Sequence, residues 1–354
     1  MIPLDRFLAD CLLDAREAEA GSAGSGGSGG SAGSGGSGGS VPLSADHAGY
    51  RDARHRFIKA GLTALHADHV GAGWVQVNIT PTAQTFPAIY ARLDEIASEA
   101  LNSSVATNFF FMHKPPGMRV RFQAPTPQGR TELHHLVTRR MAAHPEVFGI
   151  PRPGVYEPES YLFGGPEALP WVHTLFTADS LAWLHHHADP PTAALTDWRY
   201  SLTLLRDLLD GLGIIGWEHR GVWETLQHEA GRDLGEAAGQ SGVSRAIDGI
   251  QHLWRLDRAR LTSQLPEPLR TSVDLHRAAI HRAALAWRTD YFDSGAAEVT
   301  GPRRAAAYCV IFHWNRARFS AALQKLLTRA LVSEGGHTQK ASGAAPRTDR
   351  QAVG

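Results

Sequence analysis

The 354-residue chain is long enough to bury a sizeable core, and its 35 Lys plus Arg balance 35 Asp plus Glu. A zero formal charge leaves no overall field for nucleic acid or an anionic membrane, although a neutral sum hides local clusters. Cys11 and Cys309 stand far apart without metal-ligand spacing, which fits a reducing cytoplasm rather than a disulfide scaffold.

From the start of the chain, Leu4, Phe7, Leu8, Leu12 and Leu13 fall on a helical stripe, so residues 1–20 read as an amphipathic helix. Asp5, Asp10 and Asp14 interrupt the stretch that a signal peptide would keep free of charge. No apolar run approaches the roughly 20 residues that span a bilayer. The expected location is therefore the cytoplasm, away from membranes. Residues 21–40 contain only Gly, Ser and Ala in a near-repeating pattern, a flexible linker in composition. The helix before it is either native and docked on the body or a peptide tethered by design. Residues 41–332 form the body, and 333–354 read as a disordered tail.

Within the body, Trp74–Ile79 alternates as a strand, and Thr80-Pro81 opens a helix carrying Phe86, Ile89, Leu93 and Ile96. Phe109–Phe122 reads as a hairpin that turns at Lys114-Pro115-Pro116-Gly117. A helix over 129–142 and a short strand near Val155–Glu159 follow. From Pro166 onward the pattern is helical, over 166–188, 195–213, 219–231, 243–260, 268–290 and 302–331. The expected class is α+β: a small, mostly antiparallel sheet with covering helices, then a largely helical second half.

Chemistry concentrates in three places. Arg119 and Arg121 are two apart on one strand, so they share a face. Each offers a planar fork of donors suited to a carboxylate, a phosphate or a developing oxyanion, unless that face is simply solvated. Glu157 and Glu159 would likewise share a face of their strand, where they could pair with the arginines or position a substrate amide. After them, Gly164-Gly165-Pro166 makes a tight entry into a helix whose free N–H groups suit an anion. Third, His313, Asn315 and Arg316 sit in an apolar helical run. A lone buried histidine is commonly a satisfied core group, but the nearby Arg303, Arg304 and Arg318 would favour its neutral, base-competent form. His185-His186-His187 fans around a helix end and does not converge on a metal. No HExxH, CxxC or P-loop pattern occurs, and GxGxxG arises only inside the low-complexity Gly/Ser linker, so neither a metal nor a nucleotide cofactor is expected.

In this order, Gly73-Trp74-Val75-Gln76, Phe110, Arg119-Val120-Arg121-Phe122, Tyr156-Glu157-Pro158-Glu159 and Phe163-Gly164-Gly165-Pro166-Glu167 resemble the thiopeptide-type bacteriocin biosynthesis family. Leu175-Phe176, Ala178-Asp179-Ser180, Trp217 to Trp223 and Phe312-His313-Trp314-Asn315-Arg316 continue the resemblance over about residues 50–332. That family is similar to the C-terminal, SpaB-C-type domain of lantibiotic dehydratases. The resemblance implies an enzyme, a lyase, acting on a leader-bearing precursor peptide. A partner dehydratase would esterify Ser or Thr with glutamate from glutamyl-tRNA, and this chain would eliminate the glutamate to leave a dehydroamino acid. It further implies that Arg119 and Arg121 hold the glutamyl group and its departing charge, and that His313 moves a proton. Glu157, Glu159, Asn315 and Arg316 would contact the substrate. An arginine that full-length dehydratases carry in the 156–165 segment is replaced here, with Pro158 and Leu162 at the corresponding positions. The runner-up is a pyridine synthase, joining two dehydroalanines by formal [4+2] cycloaddition with loss of water and leader. A third reading is a non-catalytic scaffold that takes the leader as an added strand on the sheet edge.

Overall fold

A computed structural model describes residues 73–81, 86–188, 197–235, 241–297 and 299–333, with Gly71 and short pieces within 7–11 and 49–61. The chain divides into two compact units, Met1–His69 and Val70–Gly354. In the first, Phe7 packs edge-on against Tyr50 and Phe57. The Tyr50 hydroxyl donates to the Asp10 carboxylate and Arg54 donates to the Asp10 carbonyl. The described residues among 7–11 are helical, whereas the Gly/Ser linker and the tail beyond Ser333 lie outside the described residues.

The second unit is built on four strands, β1 (Trp74–Ile79), β2 (Asn108–Lys114), β3 (Gly117–Gln123) and β4 (Arg152–Gly154). They lie in the order β2-β3-β1-β4 with every pairing antiparallel. Alternation gives the sheet two different faces. Val75, Val77, Ile79, Phe109, Phe111, Val120 and Phe122 are buried on one. There they join a core with α1 (Phe86–Asn102) and α2 (Arg130–Ala142), which contribute Ile89, Leu93, Ile96, Leu133 and Val137. Each such large side chain stabilises the fold by about 1.5–3 kcal/mol. The other face carries Trp74, Gln76, Asn78, Phe110, Met112, Arg119 and Arg121, aligned by the strand register. The hairpin turns at Pro115-Pro116, as its sequence requires. Gly117 is obligatory there, because a Cβ would overlap the Ile79 carbonyl.

After the short helix α3 (Pro145–Phe148), the chain is helical: α4 (Leu169–Ala188), α5 (Asp197–Gly211), α6 (His219–His228), α7 (Ser241–Arg255), α8 (Arg258–Ser263), α9 (Glu267–Trp287), α10 (Pro302–Arg316) and α11 (Ala321–Ser333). Helix α4 is apolar on nearly every side and is accordingly central. It packs against α1, α9 and β2. It also closes the β2 edge: the N–H groups of Phe109 and Phe111 donate to Thr177 Oγ1 and Ser180 Oγ, and Arg316 donates to the Phe111 carbonyl. A peptide therefore finds no open ladder on β2. Among the described residues no helix is long and apolar enough to cross a membrane.

The α+β class is as the sequence indicates, with three local differences. The strand anticipated at Val155–Glu159 is displaced to Arg152–Gly154, and residues 155–159 form a loop. The 302–331 helix breaks after Arg316: Arg318 takes a left-handed conformation (φ 59°) and the Phe319 N–H reaches back to the Trp314 carbonyl. Ser320 then caps the next helix by accepting from the Leu323 N–H. The 243–260 helix breaks in the same way at Asp257, which accepts from the Arg260 N–H.

Candidate functional site

The polar face of the sheet is covered at one end only. Helix α4 lays His173 and Phe176 against Phe110 and Trp74, leaving the end nearer the hairpin turn open. Between covered and open ends lies a cleft. Its floor is Phe110, Phe176 and Phe312, and its polar rim is Arg119, Arg121, Tyr156, Glu157 and Glu159. The loop at 155–159 brings both glutamates to this rim although it is not a strand. No ion pair joins them to the arginines among the described residues.

Arg121 is the most constrained of these groups. Only 6% exposed, it donates from Nε to Gln76 Oε1 at 2.8 Å and from Nη1 to Met112 Sδ at 3.4 Å. Its guanidinium carbon lies 5.1 Å from the Phe110 ring centre and 4.9 Å from that of Tyr156. Burial lowers its pKa to about 10, with Tyr156 opposing and Arg119 adding, so it stays charged at neutral pH. The Gln76 bond at Nε and the Met112 contact at Nη1 hold the guanidinium at the wall of the cleft. Gln76 in turn donates to Asn78 Oδ1 at 3.1 Å, continuing the polar ladder across β1.

Tyr156 is held from behind by His173, with 2.7 Å between its hydroxyl and Nε2. Burial, and then the charge of Arg121, bring His173 down to about 3, so its ring is neutral. Burial raises Tyr156 in spite of Arg121, so the phenol keeps its proton and the bond to His173 joins two neutral groups. This pair was not anticipated. Its one signal was spacing, since residues 169, 172, 173 and 176 share a face of α4 and set His173 among cleft-lining neighbours.

His313, Asn315 and Arg316 are placed elsewhere. His313 is 1% exposed, with Nδ1 2.6 Å from Asp179 Oδ1 and Nε2 2.9 Å from Ser201 Oγ. Arg316, 0% exposed, donates to Asp179 Oδ2 at 2.7 Å and stacks over Phe176, the ring that floors the cleft. Burial works against the charge of Asp179, but His313 and Arg316 outweigh it and hold the carboxyl below its usual range. The expected arginine neighbours of His313 are engaged differently, Arg304 on Glu229 and Arg303 near Glu218. Asn315 is half-buried and lends its carbonyl to the Arg318 N–H, closing the end of α10. Ser201–His313–Asp179 has the connectivity of a nucleophilic triad, yet all three are buried, so no substrate carbonyl can approach Ser201 in this conformation. The histidines at 185–187 diverge as expected, to Asp94, Asp197 and the Arg316 carbonyl respectively.

These elements define an α+β protein with a two-arginine cleft on the polar face of its sheet. The chain belongs to the lantibiotic biosynthesis dehydratase C-terminal family, whose model matches residues 74–334. That membership places it in the biosynthesis of ribosomally made peptide natural products. Among solved structures it is similar to the tRNA-dependent lantibiotic dehydratase MibB from Microbispora sp. 107891, with 15% identity and a TM-score of 0.57. The match covers 77% of this chain and 29% of MibB, so the chain spans less than a third of that protein, and the likeness is one of fold. TsrL matches at 15% identity and a TM-score of 0.45, over 74% of this chain and 95% of TsrL. No curated protein matches by sequence.

Proposed function

We propose that the chain modifies a precursor peptide by eliminating glutamate from O-glutamyl Ser or Thr, with the cleft as the site of reaction. The observation that carries this reading is Arg121, a buried guanidinium fixed at Nε by Gln76 and flanked by two aromatic rings, with Arg119 beside it on the same face. Elimination takes a proton from Cα, forms the Cα–Cβ double bond and breaks the Cβ–O bond, and glutamate departs as a carboxylate. Arg119 and Arg121 meet the charge that develops on the leaving oxygen, where fixed donors act most strongly. Glu157 and Glu159, on the same rim, are the carboxylates available to accept the Cα proton. His313 acts as a positioning residue: with Asp179 it fixes Arg316 behind Phe176, and so fixes the floor. Esterification with glutamate belongs to a separate partner dehydratase.

The test is intact-mass spectrometry of a synthetic peptide bearing O-glutamyl-serine, incubated with the purified chain alone. The reading expects loss of one glutamic acid per modified site. An unchanged mass, with loss of water and leader from a peptide carrying two dehydroalanines, would instead establish the cycloaddition. An unchanged mass with both peptides would leave the scaffold.

A further inference from the structure

Beyond the cleft, the polar face continues as an open groove toward the hairpin turn. Lys114, Arg119 and Arg152 line it together with a single carboxylate, Glu157. Lys114, Arg119 and Glu157 also line the cleft, so the two spaces are continuous. Several arginines elsewhere are matched, Arg304 with Glu229, Arg277 with Asp207 and Arg140 with Glu99, whereas others, such as Arg130 and Arg206, rest on backbone carbonyls. Lys114, Arg119 and Arg152 have no ion-pair partner among the described residues. Three unmatched cations on one wall leave a local positive field that the neutral sum of the chain conceals.

The strand register arranges this wall in rows. Phe110, Arg121, Gln76 and Gly154 stand opposite one another across β2, β3, β1 and β4. Two residues along, Met112, Arg119, Asn78 and Arg152 form the next row. Rows two residues apart are separated by about 6.6–6.8 Å, the spacing between side chains i and i+2 of an extended peptide. Gly154 keeps the first row low, because a Cβ there would overlap the Gln76 amide.

We propose that this groove binds an extended substrate peptide and reads a carboxylate two positions from the residue being modified. The proposal rests on the cleft reading, with the modified side chain on the Arg121 row and the acidic side chain on the Arg119–Arg152 row. Side chains one position away point off the sheet and escape both rows. A peptide carboxylate fits better than a phosphodiester chain, because Glu157 and Glu159 sit on the same rim and would repel a polyanion.

The experiment is fluorescence anisotropy with the full chain and two labelled 11-residue peptides with a central serine. One carries Asp at positions −2 and +2 with Ala at −1 and +1, and the other exchanges them, so their charge is identical. The first is expected to bind about fivefold or more tightly, the scale of charge-assisted contacts at a partly exposed site. In Arg152→Gln the ratio should fall below about twofold, whereas Arg92→Gln, which removes a cation paired with Glu95 outside the groove, should leave it unchanged. Equal affinities, a preference that survives Arg152→Gln, or displacement of the peptide by a short single-stranded RNA in an Arg152-dependent manner would each overturn the proposal. Neither peptide is glutamylated and no bond is broken. An active eliminase without the preference therefore keeps the cleft and loses the groove, and the reverse result keeps the groove and loses the elimination.

Discussion

Two clusters in this molecule are made of nearly the same parts. One sets Arg121 over Tyr156, which is bonded to His173, with the rim glutamates nearby but not paired to it. The other joins Arg316 to Asp179, His313 and Ser201. In the second, a carboxylate inside the cluster satisfies arginine and histidine together, and the group is sealed in the core. In the first, the arginine is held by a neutral amide and two rings, and its charge is left for something outside the protein. Composition therefore does not distinguish a cluster with an unmet charge from a sealed one. What distinguishes them is whether the charge is already met.

The comparison can be broken most sharply at Asp179. Asp179→Ala strands Arg316 as a buried cation and should cost about 3–5 kcal/mol of unfolding free energy, measured by urea denaturation. Arg121→Gln should move the same transition by no more than about 1–2 kcal/mol, since its partners are neutral. A similar loss at both positions would erase the distinction.

The second expected effect is on rate. Arg121→Gln should lower glutamate elimination by about 10²–10³-fold at unchanged fold, the scale of removing one oriented donor from a developing anion. Mass spectrometry of the product over time reads this directly.

A third concerns pH. Burial brings His173 to about 3 and His276 to about 4, and His113 and His187 are similarly depressed, to about 3 and about 4. The unfolded chain binds these protons first, from about 6.5 downward. Stability should thus be complete above that value and fall as pH drops toward 4, each group contributing up to about 1.4 kcal/mol per pH unit. His185, raised by its bond to Asp94, works in the opposite sense and softens the onset. Asp179 adds its loss only at lower pH, below the ordinary carboxylate value of 3.8. A thermal midpoint that stayed flat between pH 7 and pH 5 would contradict this account.

The smallest effect is at Gln76. Gln76→Leu frees the Arg121 Nε, and elimination should slow about tenfold, the worth of one lost orienting bond. If it acts by aiming the guanidinium, the deficit should appear in kcat with KM little changed.

Much of this was legible from period and turn chemistry. The hairpin, its register and the shared face of Arg119 and Arg121 follow from alternation around Lys114–Gly117. The order of helices follows from their apolar stripes. Two kinds of feature were not legible. Helix breaks at Arg316 and Asp257 are made by caps, Ser320 and Asp257, that periodicity overlooks because the apolar stripe resumes in phase beyond them. The partners of buried polar groups were hidden because Asp179, Ser201 and His313 come from three helices separated by more than a hundred residues of chain between the first and last. Sequence placed His313 in an apolar helix. Only the fold supplies the carboxylate that occupies it.

The most direct measurement is single-turnover elimination from an O-glutamyl-serine peptide by Arg121→Gln and His313→Gln, each corrected for its folded fraction. The account predicts that Arg121→Gln loses about 100-fold or more with an intact fold, while His313→Gln is less stable yet within about tenfold of the parent per folded molecule. The opposite pattern, a well-folded His313→Gln without activity beside an active Arg121→Gln, would move the chemistry out of the cleft and into the core.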